Sequence, residues 1–189
     1  MKKSDNTTDS IMNIPESLRK RARKIKLIAM DVDGVLTAGE IIVLDRGGEI
    51  KIWNVKDRMG FHLVRLSGAP IEIAWITGRK SRQVAEQAKE MKIEHLYQGC
   101  MKKAPVLASI LKKTKLLPEE VVYIGDDLID IPVFRMVGWS VCPSDACDEV
   151  KSAVNYISPI AGGKGIAREV IEIVLKSRGF WDTATRDYR

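Results

Sequence analysis

Short apolar runs alternate with segments of helical spacing along most of the chain, and this alternation constrains the fold more than any other feature. An apolar run bounded by polar residues is typical of a buried strand, whereas helical spacing predicts an amphipathic helix. The predicted strands are residues 26–30, 71–76, 94–97, 121–124 and 139–142, and the predicted helices are residues 15–24, 59–66, 81–91, 104–115, 128–137 and 165–176. Strands that alternate with helices form a parallel sheet with helices on both faces. We therefore predict an α/β fold, a single doubly wound, Rossmann-like sheet.

Residues 40–54 depart from this rhythm and predict a β-hairpin inserted after the first strand. An apolar run at residues 41–44 is followed by turn residues at 45–48, and residues 49–53 then alternate between polar and apolar. This pattern is typical of two half-buried antiparallel strands.

The length of 189 residues predicts one domain, since domains usually have about 100–200 residues. We assign residues 14–180 to this domain. Residues 1–13 are polar and without periodicity, so we expect a mobile N-terminal tail. Residues 181–189 are interpreted as a C-terminal tail.

Composition and charge exclude several classes of protein. No window approaches the ~18 consecutive apolar residues that a membrane span requires, so we expect no membrane partner. The first residues have lysines without an apolar run behind them, so we expect no secretory signal. Three cysteines without the spacing of a redox or zinc site predict reduced thiols and a cytoplasmic location. The net charge is +6, and part of it comes from a basic run at residues 19–26. No aromatic residues alternate with these basic residues, so we interpret the run as a solvated helix face and expect no nucleic-acid partner.

Residues suited to catalysis or ligand binding follow the predicted strands, at the sheet edge where open parallel sheets bind ligands. They are Asp31, Asp33 and Gly34 after the first strand, Thr77, Gly78 and Arg79 after the second, Lys102 and Lys103 after the third, and Asp126, Asp127 and Asp130 after the fourth. Crowded carboxylates raise each other's pKa, and a divalent cation such as Mg²⁺ relieves the conflict. One aspartate can then attack phosphorus, and a second, two residues on, can transfer protons.

The order of these motifs resembles that of the haloacid dehalogenase superfamily of phosphotransferases. The resemblance implies that Asp31 is the nucleophile, Asp33 the general acid and base, and Thr77 a phosphoryl-binding residue. Lys102 and Lys103 compete for the third motif, and the family's spacing from Tyr97 favours Lys103. The resemblance further implies Mg²⁺ as the cofactor. Its implied ligands are the Asp31 carboxylate, the Asp33 backbone carbonyl and Asp126, with Gly78, Asp127 and Asp130 in support.

The spacing between motifs leaves no room for the cap domain that many relatives insert over the site. The chain is similar to the capless 3-deoxy-D-manno-octulosonate 8-phosphate phosphatases, and this similarity covers roughly residues 25–178. It implies hydrolysis of a phosphorylated 2-keto-3-deoxy sugar acid through an aspartyl-phosphate, in lipopolysaccharide precursor synthesis. It also implies a homotetramer in which the hairpins at residues 40–54 assemble and an adjacent chain closes each site. The implied substrate-binding residues are Asn54, Val55, Lys56, Asp57, Arg58 and Arg79.

Three residues depart from that family's pattern and leave the exact substrate open. Arg58 stands where the family commonly has glycine, and His62 and Gln87 stand where it commonly has arginine. Arginine suits the bidentate binding of carboxylate or phosphate, so its loss is not conservative. Arg58 and Lys56 can compensate from another direction. The alternatives are the phosphate ester of a related nine-carbon sugar acid and a broader range of sugar phosphates.

Two functions from other classes compete with a phosphatase. A receiver-like phospho-acceptor also has an acidic pair, a threonine and a lysine on a doubly wound sheet. Its phosphorylated aspartate follows a middle strand, however, whereas the acidic cluster here continues after Lys103. A non-catalytic oligomer that binds sugar acids is the second alternative, although all the reactive positions are present.

Overall fold

Six parallel strands form the central sheet of the protein, which a computed structural model describes at residues 15–45 and 48–189. The predicted N-terminal tail, residues 1–13, lies outside the described residues, as do residues 46 and 47 of the predicted hairpin turn. The sheet strands are β1 Leu27–Met30, β4 Glu72–Ile76, β5 His95–Tyr97, β6 Val121–Ile124, β7 Trp139–Cys142 and β8 Tyr156–Ile157, and the hairpin strands are β2 Ile42–Val43 and β3 Glu49–Ile50. The order across the sheet is β5-β4-β1-β6-β7-β8.

Helices cover both faces of this sheet, which confirms the predicted α/β fold. They are α1 Glu16–Ala22, α2 Val55–Ser67, α3 Arg82–Met91, α4 Lys103–Thr114, α5 Ile131–Phe134, α6 Asp148–Ala153, α7 Ile166–Ser177 and α8 Trp181–Ala184. Successive residues of β1 point to opposite faces, because strand side chains alternate. Ile28 and Met30 pack in the apolar cluster beneath α1, α2, α3 and α7, and Leu27 and Ala29 pack in the cluster beneath α4, α5 and α6.

The strand order changes direction beside β1, which lies between β4 and β6. Chain segments leave β4 and β6 on opposite sides of this point, so a crevice opens at the carboxyl ends of the three strands. The polar loops predicted from the sequence all begin at this edge.

Two predicted helices have different bounds in the structure. The helix predicted over residues 128–137 is present but shorter, and it begins as a 3₁₀ turn at Leu128–Asp130 that leads into the single turn of α5. The Asp127 side chain accepts the Leu128 N–H, which fixes the tight turn before the helix begins. Conversely, α2 begins before the predicted position at residue 59, because the Asn54 side chain caps it by accepting the Lys56 N–H at 2.9 Å.

The inserted hairpin is present but shorter than predicted. Strands β2 and β3 pair antiparallel over two residues each. Apolar side chains of this hairpin are open to solvent, and Val43 and Ile52 are both 71% exposed. Trp53 closes the segment by stacking on Trp75 of β4, with ring centroids 5.6 Å apart.

The segment predicted as a C-terminal tail contains a folded element. Helix α8 packs on α2 and α7, and its Ala184 is buried. The Lys176 ammonium lies 4.8 Å from the centre of the Trp181 ring, a cation–π contact that holds the segment to its own domain. None of the helices in the described ranges is long and apolar enough to cross a bilayer.

Candidate active site

Asp31 directly follows β1 and lies at the bottom of the crevice, where it is only 5% exposed. Its Oδ1 accepts the Val32 backbone N–H at 2.6 Å. Its Oδ2 lies 2.6 Å from the Lys103 ammonium. The Asp31 carboxylate is therefore fixed in orientation by one backbone and one side-chain donor.

Lys103 is the first residue of α4, and its side chain is fully buried between two carboxylates. Its ammonium lies 2.6 Å from Asp31 and 2.7 Å from Asp130. Burial opposes its charge, but the two carboxylates outweigh burial and raise the pKa of Lys103. The neighbouring Lys102 is exposed. Of the two lysines that compete for the third motif, Lys103 is the one in contact with Asp31.

Asp130 organises this cluster more extensively than the sequence indicated. Its Oδ1 accepts hydrogen bonds from Lys103 and from the Tyr123 hydroxyl, both at 2.7 Å. Its Oδ2 accepts the backbone N–H groups of Asp126 at 3.1 Å and Asp127 at 3.3 Å. With four donors on two oxygens, Asp130 holds the lysine and the Asp126 loop in place.

Asp126 completes a group of three carboxylates whose oxygens lie within 4.8 Å of one another, the others being Asp31 and Asp130. Asp126 Oδ1 is buried and has no hydrogen-bond partner among the described residues. Gly34 permits this crowding: a Cβ built there lies 1.9 Å from Asp126 Oδ2, and the Gly34 φ of +83° disfavours other residues. Because a hard divalent cation prefers carboxylate oxygens, Asp31 and Asp126 fit the predicted Mg²⁺.

The electrostatics of the cluster also fit a cation. Burial, with the charges of Asp31 and Asp130, raises the pKa of Asp126 to about 8. Burial and the Asp130 charge raise the pKa of Asp31 to about 7, although Lys103 opposes this. Lys103 alone therefore does not neutralise the three carboxylates at neutral pH.

We expect Mg²⁺ to stabilise the protein, and to do so more at pH 8 than at pH 6. A carboxyl whose folded pKa is raised stabilises the fold below its unfolded pKa, near 4, and this stability is lost as the pH rises through the folded pKa. The metal-free protein should thus lose stability from about pH 4 to pH 8. Thermal unfolding with EDTA or MgCl₂ measures this; a gain of about 2.7 kcal/mol is expected at about 100 times the Kd. A gain that survives in Asp126→Asn would contradict the assignment of this ligand.

A cavity of about 290 Å³ opens above the carboxylates. Its lining residues come from the loops after β1, β4, β5 and β6, and they are Asp31, Asp33, Gly34, Gly39, Thr77, Gly78, Arg79, Met101, Asp126, Asp127 and Ile129. Thr77 is buried directly after β4, and its hydroxyl accepts the Arg79 N–H at 3.3 Å. The loop therefore presents a hydroxyl and backbone groups to the same space as Asp31.

Two hairpin residues that were not predicted from the sequence form ion pairs with residues that line this cavity. The Lys51 ammonium forms an ion pair with Asp33, and its side chain is only 2% exposed. Glu49 pairs with Arg79 at 3.1 Å. The alternation of residues 49–53 predicts that Glu49 and Lys51 lie on the same face of a strand. This pattern was the sequence signal from which their shared position could have been predicted.

The structure does not bring most of the predicted substrate-binding residues to this cavity. Arg79 lines it, whereas the other five lie at the start of α2. Val55 is 76% exposed, and the Asn54 side chain, besides capping α2, donates to the Gly163 carbonyl at 3.0 Å. The remaining residues of this group are Lys56, which is exposed, Arg58, which pairs with Gln87 and Glu90, and Asp57.

Asp57 is buried and acts as a helix cap, which is a structural role. Its Oδ1 accepts the Arg168 backbone N–H at 2.8 Å, in the first turn of α7. Burial, partly opposed by this bond, raises the pKa of Asp57 to about 6.

We expect Asp57→Asn to raise the free energy of unfolding at pH 7.5 by about 1–3 kcal/mol. Asparagine keeps the acceptor but carries no charge, so the variant should escape the loss of stability that wild type suffers from about pH 4 to pH 6. Urea unfolding of both proteins across this range measures the difference. A difference that is constant with pH would show that the Asp57 charge is not responsible.

Comparison with known proteins gives consistent results for sequence and structure. Residues 82–170 match the haloacid dehalogenase-like hydrolase family. The chain is 42% identical over 164 residues to the 3-deoxy-D-manno-octulosonate 8-phosphate phosphatase of Escherichia coli K12, covering 87% of this chain and 86% of the relative. The Yersinia pestis phosphatase structure has a TM-score of 0.86 and 37% identity, covering 89% of this chain and 90% of that one. The Moraxella catarrhalis phosphatase, solved with magnesium, phosphate and 3-deoxy-D-manno-octulosonate (KDO), has a TM-score of 0.88 and 35% identity, covering 93% of this chain and 100% of that one.

Proposed function

This chain belongs to the 3-deoxy-D-manno-octulosonate 8-phosphate phosphatase family of haloacid dehalogenase-like hydrolases, and we propose that it hydrolyses KDO 8-phosphate to KDO and inorganic phosphate. One observation carries the proposal most directly: Asp31, oriented by Lys103, faces a cavity that Asp33, Thr77 and Asp126 also line. Such a set of groups suits phosphoryl transfer from an ester to a carboxylate and then to water.

The reaction has two displacements at phosphorus. In the first, an Asp31 carboxylate oxygen forms a bond to phosphorus while the bond to the sugar oxygen breaks, and Asp33 protonates that oxygen. In the second, Asp33 takes a proton from water, whose oxygen attacks the aspartyl-phosphate. Inorganic phosphate leaves, and the Asp31 carboxylate and the protonated Asp33 are restored.

Charge on the transferring phosphoryl group is stabilised by fixed donors of this chain. The Thr77 hydroxyl follows β4 and lines the cavity, and the Lys103 ammonium, at the start of α4, contacts Asp31 at 2.6 Å. Asp31, the Asp33 backbone carbonyl and Asp126 would hold Mg²⁺, which would supply a counter-charge for the crowded carboxylates and for phosphate.

Arg79 supports a sugar-acid substrate, because it lines the cavity, its side chain is 47% exposed, and a guanidinium suits bidentate binding of a carboxylate. In the free protein it pairs with Glu49, so a substrate carboxylate would compete with this contact. A second candidate substrate is the phosphate ester of a nine-carbon sugar acid. Arg58 keeps this alternative open, because its guanidinium is paired with Glu90 and hydrogen-bonded to Gln87 at 3.2 Å and is therefore not free to replace an arginine that the family commonly has.

Phosphate release with Mg²⁺ across a panel of esters tests this function. The panel contains KDO 8-phosphate, a nine-carbon keto-acid 9-phosphate and a neutral control, glucose 6-phosphate. We expect the highest kcat/KM for KDO 8-phosphate. A higher kcat/KM for the nine-carbon ester would change the assigned substrate but not the mechanism. Equal turnover of glucose 6-phosphate would contradict the binding of a substrate carboxylate by Arg79.

We also propose that the protein is a cytoplasmic homotetramer in which the hairpins of four copies assemble. The support is an apolar surface on the hairpin, Ile41, Ile42, Val43, Leu44, Ile50 and Ile52, which is 43–71% exposed. Contiguous exposed apolar surface of this kind marks interaction sites. The three cysteines are free thiols, which fits a reducing compartment.

Val43→Lys is expected to dissociate the assembly, because it buries an unpaired charge among the apolar hairpin side chains. The expected mass falls from four copies of 21.2 kDa toward one. Light scattering coupled to size exclusion gives the mass. Leu117→Lys, at a position that is 55% exposed outside the hairpin, is the matched control. An unchanged mass for Val43→Lys would contradict assembly through this surface.

A further inference from the structure

The hairpin has two chemically different faces. Ile50 and Ile52 are exposed, whereas the charged Glu49 and Lys51 side chains that alternate with them are largely buried against the domain. Because side chains alternate along a strand, one short segment presents charge inward and apolar groups outward. Assembly accounts for the outward face but not for the inward one.

The inward face delivers an ammonium group to Asp33. The Lys51 Nζ contacts Asp33 Oδ1 and lies 3.9 Å from Glu49 Oε1. Lysine is almost never buried unless it is paired, and a lysine at a solvated position avoids the desolvation entirely. The buried contact with Asp33 therefore indicates a specific role for Lys51.

Asp33 is held through only one of its two oxygens. Lys51 contacts Oδ1, while Oδ2 is buried and has no hydrogen-bond partner in the described part of the chain. A carboxyl group paired at one oxygen keeps its other, unpartnered oxygen for proton exchange. Asp33 is itself one of the residues that line the cavity.

Glu49 extends this contact to the other side of the cavity. Its carboxylate pairs with Arg79 at 3.1 Å and with Lys51 at 3.9 Å, so four alternating charges run from Asp33 to Arg79. Hydrogen bonds, led by one with Ser81, lower the pKa of Glu49, which keeps it ionised. The hairpin thus connects the loop after β1 to the loop after β4.

We propose that Lys51 is a positioning residue that holds the Asp33 carboxyl group for both of its proton transfers. This inference rests on the proposed function, in which Asp33 is the general acid and base. Lys51 acts through Asp33 and not on the phosphoryl group, which Lys103 and Thr77 serve. Its loss should therefore slow proton transfer and leave the attack of Asp31 on an activated ester intact.

Two substrates separate these steps, because p-nitrophenolate leaves without protonation whereas a sugar alkoxide does not. For Lys51→Met, kcat on KDO 8-phosphate should fall roughly 10–100-fold with little change in KM. With p-nitrophenyl phosphate, stopped flow should show one equivalent of p-nitrophenolate released at the wild-type rate, followed by slow turnover. Lys51→Gln should give the same pattern, and Lys51→Arg should restore most of the turnover.

Other outcomes overturn the proposal. A slower p-nitrophenolate burst in Lys51→Met would show that Lys51 acts on the phosphoryl group. A raised KM for KDO 8-phosphate with unchanged kcat would show that it binds the substrate. Wild-type turnover in both Lys51→Met and Lys51→Gln would show that it has no role in the reaction. Asp33→Asn, in the same assay, tests the underlying mechanism: normal turnover there would contradict the proposed function itself. Lys112→Met, an exposed lysine of α4, is the matched control. Light scattering of each variant verifies that assembly is unchanged.

Discussion

Asp31→Asn is expected to abolish turnover, by a factor of roughly 10⁴ or more, because it removes the attacking carboxylate. The fold should be retained, since the asparagine oxygen can still accept the Val32 N–H that Asp31 accepts at 2.6 Å. Without metal, the variant should be at least as stable as wild type, because one charge leaves a crowded cluster. Phosphate release and thermal unfolding in EDTA measure the two effects.

Asp187→Asn is the control for Asp31→Asn, because it removes an exposed carboxylate at the other end of the chain. It should have wild-type activity and stability. If Asp31→Asn retained more than about a tenth of wild-type turnover after repeated purification, the covalent mechanism would be wrong.

Lys103→Met is expected to have the largest effect on stability, with about 3–5 kcal/mol lost from the free energy of unfolding in metal-free buffer. The lysine is fully buried between Asp31 and Asp130, so its removal leaves two buried carboxylates without their cation. Activity should also fall by roughly 10²–10³, because a fixed donor to the phosphoryl group is lost. Urea unfolding and phosphate release measure the two losses.

Lys102→Met is the matched control, because Lys102 is adjacent to Lys103 in the sequence and is exposed. The double variant Lys103→Met/Asp130→Asn should recover part of the lost stability but none of the activity, because it removes one of the two orphaned charges. Equal effects of Lys102→Met and Lys103→Met would contradict the assignment of the third motif.

Two members of the carboxylate cluster, Asp31 and Asp126, could be placed together from the sequence because each comes at the end of a strand that the sequence also predicts. Asp31 follows β1, and Asp126 lies just beyond the end of β6, where the apolar runs end. Parallel strands bring their carboxyl ends to one edge, so adjacency follows from the fold alone. Thr77 is near for the same reason.

Contacts that depend on packing between distant segments could not be predicted. Asp130 accepts four hydrogen bonds only because a 3₁₀ turn folds it back on the Asp126 loop, and periodicity favoured a longer helix there. Asn54 and Asp57 lie in a motif that resembles a substrate loop, yet their side chains cap helices. Lys51 contacts Asp33 in a loop of the central domain, and alternation determines which face of a strand a residue occupies but not what that face packs against.

The two faces of the hairpin also link assembly to catalysis. In the proposed tetramer the apolar face around Val43 and Ile52 lies between copies, while the opposite face carries Lys51 to Asp33. Dissociation that let the hairpin tilt would pull Lys51 away from Asp33. Turnover per chain would then fall on dilution, and a compound that separated the copies would inhibit without competing with the substrate.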